Sequence, residues 1–372
     1  MNRLHTNTLY YLAQVYAALK DVRASKYCHL TLVHQLLSRS EFDKKTWALN
    51  AVQLSGYYSS LREYGRSLHC INAGKAMMPP EPKTEETIGT VHWAYGRFYL
   101  GRLRHYSNRP EFSPGVDALG TWWVSFPVGV EDPKELPPVD SFDRAREEFK
   151  EANFHFNEAL KYFVMDGCCT DHIQILRDIS DAYKYLVLFE DDRERQAAMH
   201  QRRASILEKI PAELNPQAYL TLIRQLLYDI AEIRSDILDV RLKQRSSAQK
   251  GLSDKKCNEL SLQTLNSFLA FLTSFNDPKT SLLPAKVDDE LRVPIFRAMM
   301  RIAGLQTKGF FAKPKDEYEA IGRSLEWYDN VDKFAKSNVM PAAEVGEEMT
   351  LVAQMRELLP GKQKNIFRSF NS

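Results

Sequence analysis

The chain is poor in the features that mark secreted, membrane-spanning or catalytic proteins. No apolar run approaches the ~18 residues that span a bilayer, although 44% of the 372 residues are hydrophobic. The opening MNRLHTNTLYYL has no apolar core or cleavage site of a signal peptide, so the expectation is a cytosolic chain. Five scattered cysteines (28, 70, 168, 169 and 257) make no disulfide framework and point to reduced thiols. Net charge is scarce: 50 Lys and Arg against 48 Asp and Glu leave +2. So small a balance gives no field for nucleic acid or for insertion at an anionic membrane. The P-loop, dinucleotide-binding, nucleophile-elbow and zinc-protease signatures are all missing, so no enzyme and no cofactor are expected. No convincing strand pattern is present either.

What is present is helical period, and it repeats. Leu12, Ala13 and Tyr16 are followed by Ala24, Cys28 and Thr31; Leu54, Ser55 and Tyr58 are followed by Ser67, Ile71 and Gly74. A bulky residue, a small one and a Tyr on one helix, then small and medium residues at i, i+4, i+7 of the next, is how tetratricopeptide (TPR) helix pairs approach each other. Residues 7–38 read as one pair, capped at Asn7 or Thr8, with Leu9, Leu12, Val15, Tyr16 and Leu19 on one face. Residues 45–78 read as a second, with Tyr64 and Gly65 in the turn. PPEPK at 79–83 breaks the pattern, and 87–106 resumes it.

The fold expected is all-α: a TPR-like helical-repeat solenoid of antiparallel helix pairs with an irregular Pro-rich insert. TPR-like pairs fill 1–106, a Pro/Gly/Trp linker 107–140, and a C-terminal helical-repeat region 141–372. Within the last, helices are expected from Asp143 to about Met165, closed by Gly167, and over 173–189, capped by Thr170 or Asp171. Others follow up to Leu207, from Gln217 to about Gln244, and at about 256–275, 288–308, 314–336 and 341–358. The first helix begins almost at once, with no polar capping unit before it, so upstream repeats are expected to be lacking.

Several stretches go beyond pattern. LYYLAQVY (9–16), KYCHLTLVHQL (26–36) and WALNAVQLSGYY (47–58) lie in the first half. The block DGCCTDHIQILRDISDAYKYLVLFEDDRERQAAMHQRRASILE (166–208), LNPQAYL (214–220), FNDPK (275–279) and SLEWYDNVDKF (324–334) lie in the second. In that order the chain resembles the later part of the KIF-binding protein family. The resemblance implies a cytosolic, non-catalytic adaptor. It would bind kinesin motor domains on the face that docks on the microtubule, block track attachment, and so regulate organelle transport, axon growth and spindle assembly. It also implies motor-contacting polar residues on concave helices, which map here to Tyr11, Gln14, Gln35 and Gln53.

Tyr11 and Gln14 lie at i and i+3, on a face turned from Leu9, Leu12 and Tyr16. By period alone Tyr11 packs on a neighbouring repeat and Gln14 is solvated; by resemblance they are a contact pair, which suits an amphipathic Tyr. A generic TPR scaffold clamping a short peptide of another partner is the alternative function. Cys168, Cys169, Asp171 and His172 form the one cluster resembling a metal site, but adjacent Cys side chains point apart, and a capped helix start is the reading taken. RERQAAMHQRR (193–203) is either a solvated face supported by Asp191, Asp192 and Glu194 or a positive patch for an acidic helix. Trp122-Trp123 either dock elsewhere as a sticky peptide or tuck back onto the helices.

Overall fold

The computed structural model describes residues 2–19, 21, 23–38, 42–78, 85–107, 123–246, 253–277 and 279–371. Among these lie fourteen helices and no strand, an all-α helical-repeat fold. By contact the chain divides into two compact units, Met1–Asp191 and Asp192–Ser372.

The first unit contains α1 (Asn2–Ala18), α2 (Arg23–Leu37), α3 (Lys44–Ser60), α4 (Tyr64–Met77), α5 (Glu85–Ser107), α6 (Phe142–Leu160) and α7 (Cys169–Val187). Helices α1–α2, α3–α4 and α5–α6 pack as pairs, and α7 lies against α5 and α6. The second TPR-like copy packs as its residue types demand. Trp47, Ala51, Leu54, Ser55 and Tyr58 of α3 are buried against Ser67, Ile71 and Gly74 of α4. Gly74 is required there, since a Cβ would sit 2.6 Å from Val52 Cγ2 and 2.8 Å from the Ala48 carbonyl oxygen. Asp43 starts α3 by accepting from the Lys45 and Thr46 amides.

The first copy matches only in part. Ala13 is buried and Tyr16 stacks on Tyr27 at 5.2 Å, but Cys28 is exposed while Ser25, His29 and Leu32 are buried. Of the three expected positions on α2, Thr31 is buried and Cys28 is not. Val15 and Leu19, expected on the packed face of α1, are exposed. Helix α1 also begins before Asn7 and Thr8; the Thr8 hydroxyl bonds back to the Leu4 carbonyl rather than capping. Tyr64 opens α4 instead of turning the chain, because Arg62, at φ 65°, makes the reversal. Helix α6 stops at Leu160, and Gly167 (φ 114°) serves a separate turn beyond it. Neither Thr170 nor Asp171 caps α7, which starts at Cys169 without a side-chain cap.

Residues 123–140 are non-helical and run across the first helices. Phe126 is buried among Trp47, His29 and His69. Trp123, half-buried, lies edge-on to Tyr58 at 5.4 Å, so this indole tucks back onto the helices; Trp122 lies outside the described residues. Gly65 lets the strap pass, because a Cβ there would collide with the Lys134 carbonyl oxygen. Farther on, Arg102 of α5 donates to the Pro137 carbonyl at 2.7 Å and to both Glu148 oxygens.

The second unit contains α8 (Arg193–Leu207), the short α9 (Ile210–Glu213), α10 (Pro216–Ser246), α11 (Asp254–Thr273), α12 (Asp289–Gln306), α13 (Pro314–Asn338) and α14 (Ala342–Asn371). Helix α10 packs on α8 and α11, and α11 to α14 pack in series around Phe268, Phe296, Ile302, Ile321 and Val331. Helix α14 continues past Pro360, well beyond the expected end near 358. Leu359 is buried, Lys362 meets Glu317 at 2.9 Å, and Gln363 donates to the Tyr318 carbonyl. The basic run in α8 is not a fully solvated face: Arg203 is buried 2.8 Å from Asp236 of α10, and His200 is buried beside it. Among the described residues, no helix is long and apolar enough to cross a membrane.

Candidate protein-binding groove

Helices α3, α5 and α7 border a groove of about 670 Å³ in the first unit. Its floor is organised by one carboxylate. Asp178 of α7, only 7% exposed, accepts from Trp93 Nε1 at 2.8 Å, Arg97 Nε at 2.9 Å and Gln174 Nε2 at 3.0 Å. The Arg97 guanidinium also stacks 4.4 Å above the Trp93 ring. One side chain thus fixes three others in single orientations, and two of them come from a different helix.

Seven residues along α5, about 10.5 Å at the helical rise, Arg104 repeats the arrangement more loosely. It lies 3.7 Å from Asp181 and 5.2 Å above the Tyr185 ring. The Arg97 and Arg104 side chains remain 53% and 55% exposed. Pairs so open to water add little stability; their effect is to hold charged and aromatic groups ready at the surface. The groove therefore offers guanidinium donors, a carboxylate, amides and an indole face. Such a set suits a polar protein surface.

The four candidate residues fall in different places. Gln53, exposed on α3, lines the groove. Tyr11 is 62% exposed on α1, with its ring edge-on to Tyr10 at 5.9 Å. Gln14 donates to the Tyr10 hydroxyl at 2.7 Å, so its partner is the residue one turn back and not Tyr11. Gln35 is half-buried on α2. None of the four side chains is hydrogen-bonded to another. In this structure the Tyr11 ring is exposed, as are Tyr10, Val15 and Leu4.

Sequence reasoning missed the groove's own residues. The signal was available as two complementary stripes: Trp93, Arg97 and Arg104 on one helix face, and Gln174, Asp178 and Asp181 at i, i+4, i+7 on another. Pairing them needs knowledge that α5 and α7, some 80 residues apart, are neighbours. In the Cys168–His172 cluster, His172 Nδ1 donates to the Phe163 carbonyl at 2.8 Å. Among the described residues no group of three or more His, Cys, Asp or Glu is placed to hold a metal.

A family model described as KIF-1 binding protein C terminal matches residues 130–366, more than half of the chain. The chain belongs to this family. The KIF-binding protein of Mus musculus is 30% identical over 97% of this chain and 66% of its own length. That of Homo sapiens is 29% identical with the same coverage. The chain thus spans just under two thirds of the curated relatives it matches. A solved structure of kinesin binding protein superposes with a TM-score of 0.64 at 27% identity, covering 96% of this chain and 67% of that one. The residues matched by the family model take in the strap from 130 onward, α6, α7 and nearly all of the second unit.

Proposed function

We propose that this chain binds kinesin motor domains through the α3–α5–α7 groove and the exposed face of α1, and that bound motor is kept off the microtubule. The observation that carries this reading is the groove itself, which presents half-exposed, pre-oriented Arg97 and Arg104 beside Gln53 in a member of a family whose relatives are named for binding kinesins. Polar side chains already held in place lose little freedom on binding, which favours a folded partner surface over a flexible tail. Tyr11 and Gln14 extend the contact along α1, and Gln35 supports it from α2. The action is occlusion: the adaptor competes with tubulin for one face of the motor, and no cofactor or bond-making step enters. In a cell this would make the chain a cytoplasmic, cytoskeleton-associated regulator of microtubule-based transport and axon growth.

The test is microtubule co-sedimentation of a kinesin motor domain with rising amounts of the chain. Motor should leave the pellet as the chain is added. Tyr11→Ala with Gln14→Ala, or Gln53→Ala with Arg104→Ala, should return it to the pellet with helical circular dichroism unchanged. A motor that stays with microtubules at saturating folded chain removes the proposal. Equal activity of the α1 double variant removes Tyr11 and Gln14 from the contact.

A further inference from the structure

We propose that residues 123–131 are a proton-released strap, held on the α2–α4 face only while His29 and His69 are both neutral. Among the contacts that hold this segment, three hydrogen bonds run through an imidazole. His29 Nε2 donates to the Val124 carbonyl at 2.6 Å. His69 Nδ1 donates to the Glu131 carbonyl at 2.7 Å, while its Nε2 accepts from the Phe126 amide at 3.1 Å. A ring that donates from one nitrogen and accepts at the other must be neutral, and in one tautomer only. A proton on His69 Nε2 would turn that acceptor into a second donor facing an N–H. Phe126 is stacked between the two rings, 4.4 Å from His29 and 5.5 Å from His69, so a charge on either falls against a buried apolar side chain.

The surroundings press the same way. Burial is the largest influence on His29 and holds it at about 4, below its ordinary 6.5; the Val124 carbonyl opposes this, and His69 and Arg66 reinforce it. Burial also lowers His69, opposed by the Glu131 carbonyl and Asp132. The charged or titratable groups facing the pair are Tyr58 from α3, Arg66 from α4, and Glu131 and Asp132 from the non-helical segment. Arg66 is engaged by Glu63 at 2.6 Å and Glu131 by Lys134 at 2.6 Å. A histidine whose value is lowered by docking contributes fully above its free value and loses that contribution as pH falls toward its docked one. The window therefore runs from about 6.5 down to about 4. If release exposed His29 fully, the ratio of released to docked strap would rise roughly 30-fold from pH 7.5 to pH 5, and burial retained against Tyr58 of α3 makes the rise smaller.

The experiment is hydrogen exchange read by mass spectrometry on the full chain between pH 7.5 and pH 5, each peptide corrected for its free-chain chemical rate. Peptides covering 124–131 should gain in corrected rate several-fold and by at most about 30-fold, while those of α3 and α4 stay protected. The double variant His29→Gln with His69→Gln keeps a donor at both positions and an acceptor at 69 but takes up no proton, so its strap should exchange independently of pH. Three results would each overturn the proposal: a flat wild-type strap profile, loss of α3 and α4 protection in step with the strap, or a double variant as pH-sensitive as the wild type.

Discussion

Replacing Arg102 by alanine tests how the strap, α5 and α6 are joined. The Arg102 side chain is 3% exposed and that of Glu148 16%. Nε donates to the two Glu148 oxygens at 3.1 and 3.0 Å, and Nη2 reaches one of them at 2.9 Å and the Pro137 carbonyl at 2.7 Å. Truncation strands a mostly buried carboxylate and removes a donor from a strap carbonyl. One-sided loss of such a pair costs about 3–5 kcal/mol. Glu148 is close enough to solvent to regain some hydration, which places the expectation near the lower end, about 3 kcal/mol. With a urea m-value of about 2 kcal/mol per M, the midpoint falls by roughly 1.5 M. Tryptophan fluorescence follows the right unit, because Trp47, Trp93, Trp122 and Trp123 lie in the first and only Trp327 in the second. Arg102→Met combined with Glu148→Leu removes both charges at similar volume and should recover most of the loss. A shift below about 0.5 M in Arg102→Ala, or a double variant less stable than the single one, would refute the reasoning.

Gly74→Ala should lower the same urea midpoint, because its Cβ meets the Ala48 backbone at 2.8 Å, a clash worth about 1–3 kcal/mol. Gly56→Ala in α3, where a Cβ meets nothing within 4 Å, should raise the midpoint, with a gain in stability of up to ~1 kcal/mol through helix propensity; the opposite ordering would contradict the small-residue account of α3–α4 packing. Asp178→Ala removes the shared acceptor of Trp93, Arg97 and Gln174 and should cost about 1.5–3 kcal/mol in the first unit. An unchanged midpoint would mean that water replaces the carboxylate at no cost.

The parts of this molecule that were legible in sequence are those that depend on neighbours in the chain. Helix α3 and its partner α4 follow from Trp47, Tyr58, Ser67 and Gly74, whose spacing states both the helical period and the contact. Helix ends were harder to read. Thr8 has a capping side chain, yet its hydroxyl bonds back within α1, and Pro360 sits inside α14, where Leu359, Lys362 and Gln363 hold the helix on α13. Local propensity is a weak prior against such packing. Gln53 was reached by resemblance, whereas Asp178, Arg97 and Trp93 were not reached at all. Their relation exists only once α5 and α7 are side by side, and single-helix patterns carry no information about that pairing. His29 and His69 were unreadable for the same reason, since each looks like one more scattered histidine until residues 124–131 are laid across it.

The strap also sets an order of events in synthesis. Val124 leaves the ribosome 95 residues after His29, a delay of roughly 5–20 s at ordinary elongation rates. Through that interval α2, α3 and α4 can already have met, but the aromatic face around Trp47 and Tyr58 has no Phe126 or Trp123 to cover it. The first unit therefore carries an uncovered aromatic face until the strap arrives. Slowing translation within residues 30–120 should lengthen that exposure and lower the soluble yield, even though every codon still specifies the same protein.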